Sequence, residues 1–179
     1  MITEDLDQAV DAAFEPLRGS GAATATAVLL SNVSDYGFVW FVLAVVKGRR
    51  SGPARRRARR ALLVAGVLSM TSNALLKRIV NRQRPEPDAS PGAVEPAALP
   101  VRRPTSSSFP SGHTLASFCT ATTLATSRAE LACYLAFSTA VAASRVHLRA
   151  HHASDVVGGA VIGTVLGSAC RLAVGAGLE

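Results

Sequence analysis

Five apolar runs separated by polar connections divide this chain: Ala22 to Val46, Ala61 to about Val80, Ser111 to about Ala125, about Glu130 to Val146, and Ser154 to about Val174. Runs of this kind leave few folds open. Lipid offers the backbone no hydrogen-bond partners, whereas a helix satisfies its own and, at about 1.5 Å per residue, crosses ~30 Å of hydrocarbon in about 20 residues. The pattern predicts an all-α, integral-membrane helical bundle of about five spans. With 49% hydrophobic residues and a mean hydropathy of +0.27, the 179 residues form one domain too apolar for an ordinary soluble protein.

The runs differ in ways that predict their surroundings. The first is interrupted by SNVSDYG around Asp35, where a break is expected, leaving Tyr36 to Val46 as its most securely embedded part with Tyr36 and Trp40 near an interface. The third is rich in Ser and Thr, which suits a helix packed among other helices. The fifth carries Gly158, Gly159, Gly163 and Gly167, a GxxxG pattern for close contact within the bundle or in a dimer, so oligomeric state stays open. Over residues 1–18, Leu6, Val10, Ala13, Phe14 and Leu17 recur at helical spacing, with Glu4, Asp5, Asp7, Asp11 and Glu15 on the remaining surface. That segment reads as an amphipathic helix at the interface, and its acidity argues against a cleaved signal peptide. Cys119, Cys133 and Cys170 lack metal-type spacing and are expected as small core residues.

Charge orients the bundle. Of 19 basic residues, 8 lie between Lys47 and Arg60, a block without acids, within a formal net charge of +7. Because both flanks are apolar, this block reads as a cytoplasmic loop under the positive-inside rule, not as a nucleic-acid surface, and no nucleic-acid partner is expected. Alternation then places the N-terminus, the loop over residues 81–110 and the stretch Arg145 to His152 on the outer face of the plasma membrane. Arg82, Arg84, Arg102, Arg103, Arg145 and Arg149 fall there against the rule, so some of them have work to do.

Three separated segments on that face gather the polar groups a membrane protein otherwise avoids: KRIVNRQRP, FPSGH and SRVHLRAHHASD. Each suits a phosphate ester. Lys77 and Arg84 are about two helical turns apart and can clamp phosphate oxygens, with Pro85 ending the element. Ser111 and Gly112 stand at a helix start, where free N–H groups favour an anion, and Arg145 adds a forked guanidinium. His151 and Asp155 are spaced i, i+4, so the carboxylate can fix the imidazole tautomer and leave Nε2 as the nucleophile. His113 is suited to protonate the leaving alkoxide. The arrangement requires no metal and no cofactor; the expected partners are a membrane lipid substrate and the bilayer itself. His147, His152, Arg78, Arg82, Arg102, Arg103 and Arg149 read as caps or headgroup contacts.

With these residues the chain resembles the type 2 phosphatidic acid phosphatase superfamily, whose signature is K-x6-RP, PSGH and SR-x5-H-x3-D. Lys77, Arg84 and Pro85 match the first part, Pro110 to His113 the second, and Ser144, Arg145, His151 and Asp155 the third, in order and without departure. The resemblance implies a helical bundle with its site near the outer leaflet, a phosphohistidine on His151, and metal-independent hydrolysis of a lipid phosphomonoester or diphosphate. The superfamily includes soluble acid phosphatases and vanadium haloperoxidases, which share the phosphate pocket, but these spans are too apolar and the chain too short for them. In size and composition the chain is similar to small actinobacterial members acting on polyprenyl lipids. Phosphatidylglycerophosphate, phosphatidic acid and undecaprenyl diphosphate phosphatases carry the same motifs, and a protein that binds or transports a lipid phosphate without cleaving it would use the same pocket.

Overall fold

The computed structural model describes residues 2–86 and 105–174, all in helices, turns and coil. Arg102, Arg103 and most of the Pro-, Ala- and Ser-rich loop lie outside the described residues. The helices are α1 (Ile2–Arg18), α2 (Gly21–Ser34), α3 (Phe38–Gly48), α4 (Gly52–Ile79), α5 (Gly112–Leu124), α6 (Arg128–His147) and α7 (Ala153–Ala173). Three stretches, Gly21–Gly48 (α2 and α3 with the turn between them), Gly52–Ile79 and Ala153–Ala173, are long and apolar enough to cross a membrane.

The break in the first apolar run lies where SNVSDYG predicts it. Asp35–Gly37 form one 3-10 turn, with Tyr36 at φ 52° and Gly37 at φ 71°, and a glycine at the second position lowers the cost of that reversal. Tyr36 is 92% exposed. Trp40 is 2% exposed and turned into the bundle, packed edge-on against Tyr134 and Phe137, with its Nε1–H donated to Ser117.

The basic block is largely helical. Ser51 caps α4 by accepting from the Ala54 N–H at 3.2 Å, and Pro53 occupies the first turn, where its missing N–H costs nothing. The Ala- and Arg-rich segment that follows consists of good helix formers, so it extends α4 by two turns beyond the expected loop.

At the centre sits α5, whose Thr114, Leu115, Ser117 and the run Cys119 to Leu124 are all buried. Two of its hydroxyls bond along the helix: Thr123 donates to the Cys119 carbonyl at 2.7 Å and Thr114 to Ser111 Oγ at 3.0 Å. Against it packs α7, in parallel and in constant register. A Cβ on Gly159 would lie 2.9 Å from the Ser111 carbonyl oxygen, one on Gly163 2.5 Å from that of Leu115, and one on Gly167 2.6 Å from that of Cys119. The GxxxG face thus serves packing inside the bundle, letting two backbones touch. Cys119 and Cys170 are buried as expected; Cys133 is exposed.

Parallel packing brings the N-termini of α5 and α7 to one end, where the Ser111 N–H donates to the Asp155 carbonyl at 3.1 Å. The end of α4, the end of α6 and α1 meet them there. At the other end Lys47 is paired with Glu130, and Arg57 donates to the Ala125 carbonyl at 3.2 Å.

Candidate functional site

His151 follows the last turn of α6, whose chain reversal is closed by Ala150 and His151 N–H groups both donating to the Arg145 carbonyl. The side chain is 3% exposed. Its Nε2 lies 3.2 Å from Arg84 Nη1. A guanidinium only donates, so Nε2 carries the lone pair and Nδ1 the proton. Nδ1 stands 3.7 Å from Asp155 Oδ2, an electrostatic contact longer than a hydrogen bond. Burial pushes the imidazole down to about 4 despite the hydrogen-bonding pull of Asp155, and the nearby Arg84 and Arg145 guanidiniums reinforce the shift.

Asp155 is fully buried at the start of α7 and held from several sides. Oδ2 accepts from Ser108 Oγ at 2.5 Å and from the His152 N–H at 2.9 Å, while Oδ1 accepts from Arg82 Nη1 at 2.6 Å. Arg82 is therefore no headgroup contact. Its other nitrogen donates to Asp7 of α1 at 2.6 Å, and Asp7 also accepts from Ser154 N and Oγ. Burial works against the charge on Arg82, but its bonds to Asp7 and Asp155 outweigh that and hold its pKa above the ordinary value. The amphipathic helix expected to lie at an interface is thus anchored behind the site.

The other cations converge. Arg84 donates to the carbonyls of Ser106, Ala150 and Ser107, and Lys77 Nζ also donates to that of Ser107. Two like charges on one carbonyl concentrate positive field at a single spot beside His151. Arg145 is 1% exposed, and among the described residues only its Nη1 is bonded, to Ser31; Nε and Nη2 lack hydrogen-bond partners. It lies within electrostatic reach of His113, His151 and Arg84.

His113 stands in the first turn of α5, where its Nε2 is 2.6 Å from Asp35 Oδ1 in the α2–α3 break. Gly112 precedes it in a tight spot, where a Cβ would sit 3.2 Å from Asn73 Nδ2 and the Asn73 amide would have to give way. Ser111 is buried and accepts from Thr114 Oγ1 at 3.0 Å, which leaves its own hydroxyl proton to donate. His147, read as a cap, is buried, with Nε2 3.0 Å from Thr24 Oγ1. Among the described residues no three His, Cys, Asp or Glu side chains stand together as a metal ion would need.

Asp7, Asp35, Arg82, Ser31 and Ser108 join the site without being singled out in the sequence. Only Arg82 and Asp35 had a signal: one an arginine on the wrong side for the charge rule, the other an acid inside an apolar run. A cavity of about 460 Å³ opens on the α1 side, with Asp7, Arg82 and His151 in its wall. Lys77, Arg84, Arg145 and His113 do not line it.

A family model described as the PAP2 superfamily matches residues 58–177. Decaprenylphosphoryl-5-phosphoribose phosphatase of Mycobacterium tuberculosis is 36% identical over 148 residues, covering 80% of this chain and 76% of the relative. The protein of the same name from Mycolicibacterium smegmatis is 33% identical over 144 residues, covering 80% and 74%. The crystal structure of the transmembrane PAP2-type phosphatidylglycerolphosphate phosphatase from Bacillus subtilis superposes with a TM-score of 0.71 at 23% identity, covering 96% of this chain and 84% of that one.

Proposed function

The chain belongs to the PAP2 superfamily, and from that premise we propose that this membrane lipid phosphatase hydrolyses a polyprenyl-linked phosphate through a phosphohistidine on His151, using no metal. The observation that carries the reading is Arg145: a buried guanidinium with two unbonded nitrogens beside a neutral imidazole calls for an oxyanion, because leaving such donors unmet costs about 1–3 kcal/mol each. Lys77, Arg84 and Arg145, with Ser111 and the N–H groups opening α5 at Gly112, hold the phosphate oxygens and stabilise charge in the transition state.

The lone pair on His151 Nε2 attacks phosphorus, forming N–P as the bond to the lipid oxygen breaks. His113, engaged at Nε2 by Asp35, delivers a proton from Nδ1 to that oxygen. Asp155 stabilises the positive imidazole. Water then attacks phosphorus with His113 taking its proton, N–P breaks, and inorganic phosphate leaves with His151 restored.

The polyprenyl assignment follows the two mycobacterial relatives. The site end faces outward on this reading, because the other end carries the Lys47 to Arg60 block. Phosphate release by purified protein in detergent tests it, with decaprenylphosphoryl-5-phosphoribose, phosphatidylglycerophosphate, phosphatidic acid and undecaprenyl diphosphate compared by kcat/KM. Faster turnover of a glycerolipid replaces the substrate assignment. Release by His151→Ala at the unaltered rate removes the mechanism, and headgroup binding without turnover indicates a carrier. Orthovanadate, a mimic of five-coordinate phosphorus, is expected to inhibit.

A further inference from the structure

At the end of the bundle remote from His151, α3 and α4 cross closely: a Cβ on Gly48 would lie 3.3 Å from Arg55 Cα. Beside the crossing runs a groove of about 700 Å³. Phe41, Ala44 and Val45 of α3 and Leu62 of α4 give it an apolar wall, while Arg49, Arg55 and Arg59 stand at its other end, around the Ser51 cap of α4. Phe41 and Val45 are exposed and belong to a stretch apolar enough to lie in lipid. The site chemistry uses none of these residues.

We propose that this groove binds one anionic phospholipid of the adjacent leaflet, with its phosphate between Arg49, Arg55 and Arg59 and an acyl chain along Phe41, Val45 and Leu62. The groove is divided as a lipid is, cationic at the aqueous end and apolar toward the bilayer, and arginine forks match phosphate oxygens. Charge complementarity selects the headgroup. Among the described residues the carboxylate at this end is Glu130, which is held by Lys47 and Thr126. None of the described carboxylates there is free to meet the ammonium of a zwitterionic lipid. The apolar half of the wall equally disfavours inorganic phosphate or a nucleic acid, neither of which would cover it.

Native mass spectrometry of the full chain in detergent reads the site directly. Phosphatidylglycerol is titrated against phosphatidylcholine of the same acyl chains, and then in the presence of millimolar inorganic phosphate. The expected result is one retained phosphatidylglycerol at roughly tenfold lower concentration than phosphatidylcholine, undisturbed by inorganic phosphate. The triple variant Arg49→Gln, Arg55→Gln, Arg59→Gln should lose that preference, while Lys47, Arg50, Arg56, Arg57 and Arg60 remain to orient the chain. Val45→Trp, which fills the apolar wall and spares the arginines, should weaken retention as well. Phosphatase activity of both variants, remote from His151, reports that they are folded. Equal retention of the two lipids, displacement by inorganic phosphate, or unchanged binding by active triple variant would each overturn the proposal.

Discussion

Asp7 and Asp155, from opposite ends of the chain, share one guanidinium: Arg82 Nη2 lies 2.6 Å from Asp7 Oδ2 and Nη1 2.6 Å from Asp155 Oδ1. The carboxylate behind His151 is therefore positioned through α1. Asp7→Asn keeps the shape and removes the charge. It is expected to lower kcat several-fold with little change in KM, and to destabilise the protein by about 1–3 kcal/mol, since Arg82 and Ser154 lose a charged partner. Steady-state kinetics with thermal unfolding in detergent reads both. An unchanged kcat would mean that α1 only covers the site.

As the proposed nucleophile, His151 is expected to set the acid limb of the activity profile. Burial lowers its pKa from the ordinary 6.5 to about 4, and the attacking form is neutral. Activity that depends on this group should be retained at pH 6 and lost as pH falls through about 4. Stability moves the same way: between about 6.5 and about 4 the unfolded imidazole binds a proton that the folded one does not, so acid favours unfolding in that window. Arg84→Gln removes one of the positive charges that lower the pKa and should shift the acid limb upward while reducing kcat. A kcat profile over pH 3.5–8 for the two proteins decides this.

The reach of sequence reasoning follows from the range of the interactions. Residues tied to a local rule are legible: the helix start at Ser111, the i, i+4 pair His151 and Asp155, and the break at Asp35. The apolar runs set the bundle, because hydrocarbon thickness fixes helix length whatever the neighbours. Non-local pairings were out of reach. Nothing near Asp7 signals that it meets Arg82, and nothing near Ser31 signals Arg145. The basic block reads as a loop because charge runs are usually solvated connections, yet Ser51, Pro53 and the alanines that follow carry ordinary helix-start chemistry. Nothing near Trp40 signals that its ring turns into the bundle against Tyr134 and Phe137.

Asp35 gives His113 a partner on Nε2 and so supports its protonated form. If His113 is the acid, Asp35→Asn should lower kcat roughly 10- to 100-fold on alkyl phosphates, whose leaving oxygen needs a proton. An aryl phosphate with an acidic leaving group needs none, and the loss there should be small. His113→Ala should show the same split, more strongly, whereas His151→Ala should abolish turnover of both classes by about 1,000-fold or more. Equal losses on both leaving groups for His113→Ala would assign it to binding.

The α5–α7 register separates stability from chemistry along one helix. Gly159, Gly163 and Gly167 each face a carbonyl of α5 at under 3 Å from where a Cβ would stand, so alanine at any of them must push two backbones apart. Each substitution is expected to cost roughly 1–3 kcal/mol, or about 2–12 °C in Tm for a chain of this size. Gly66 of α4 has open space around it, and Gly66→Ala should leave Tm unchanged or raise it. Chemistry should distinguish the three tight glycines. Gly159 lies opposite Ser111, one turn from Asp155, so Gly159→Ala also shifts His113 relative to His151 and should lower kcat beyond what lost stability explains. Gly167→Ala opens the far end of the seam and should retain kcat once assayed well below its Tm. Similar kcat losses for both would mean that α5 and α7 move as one body and that the seam transmits strain along its whole length.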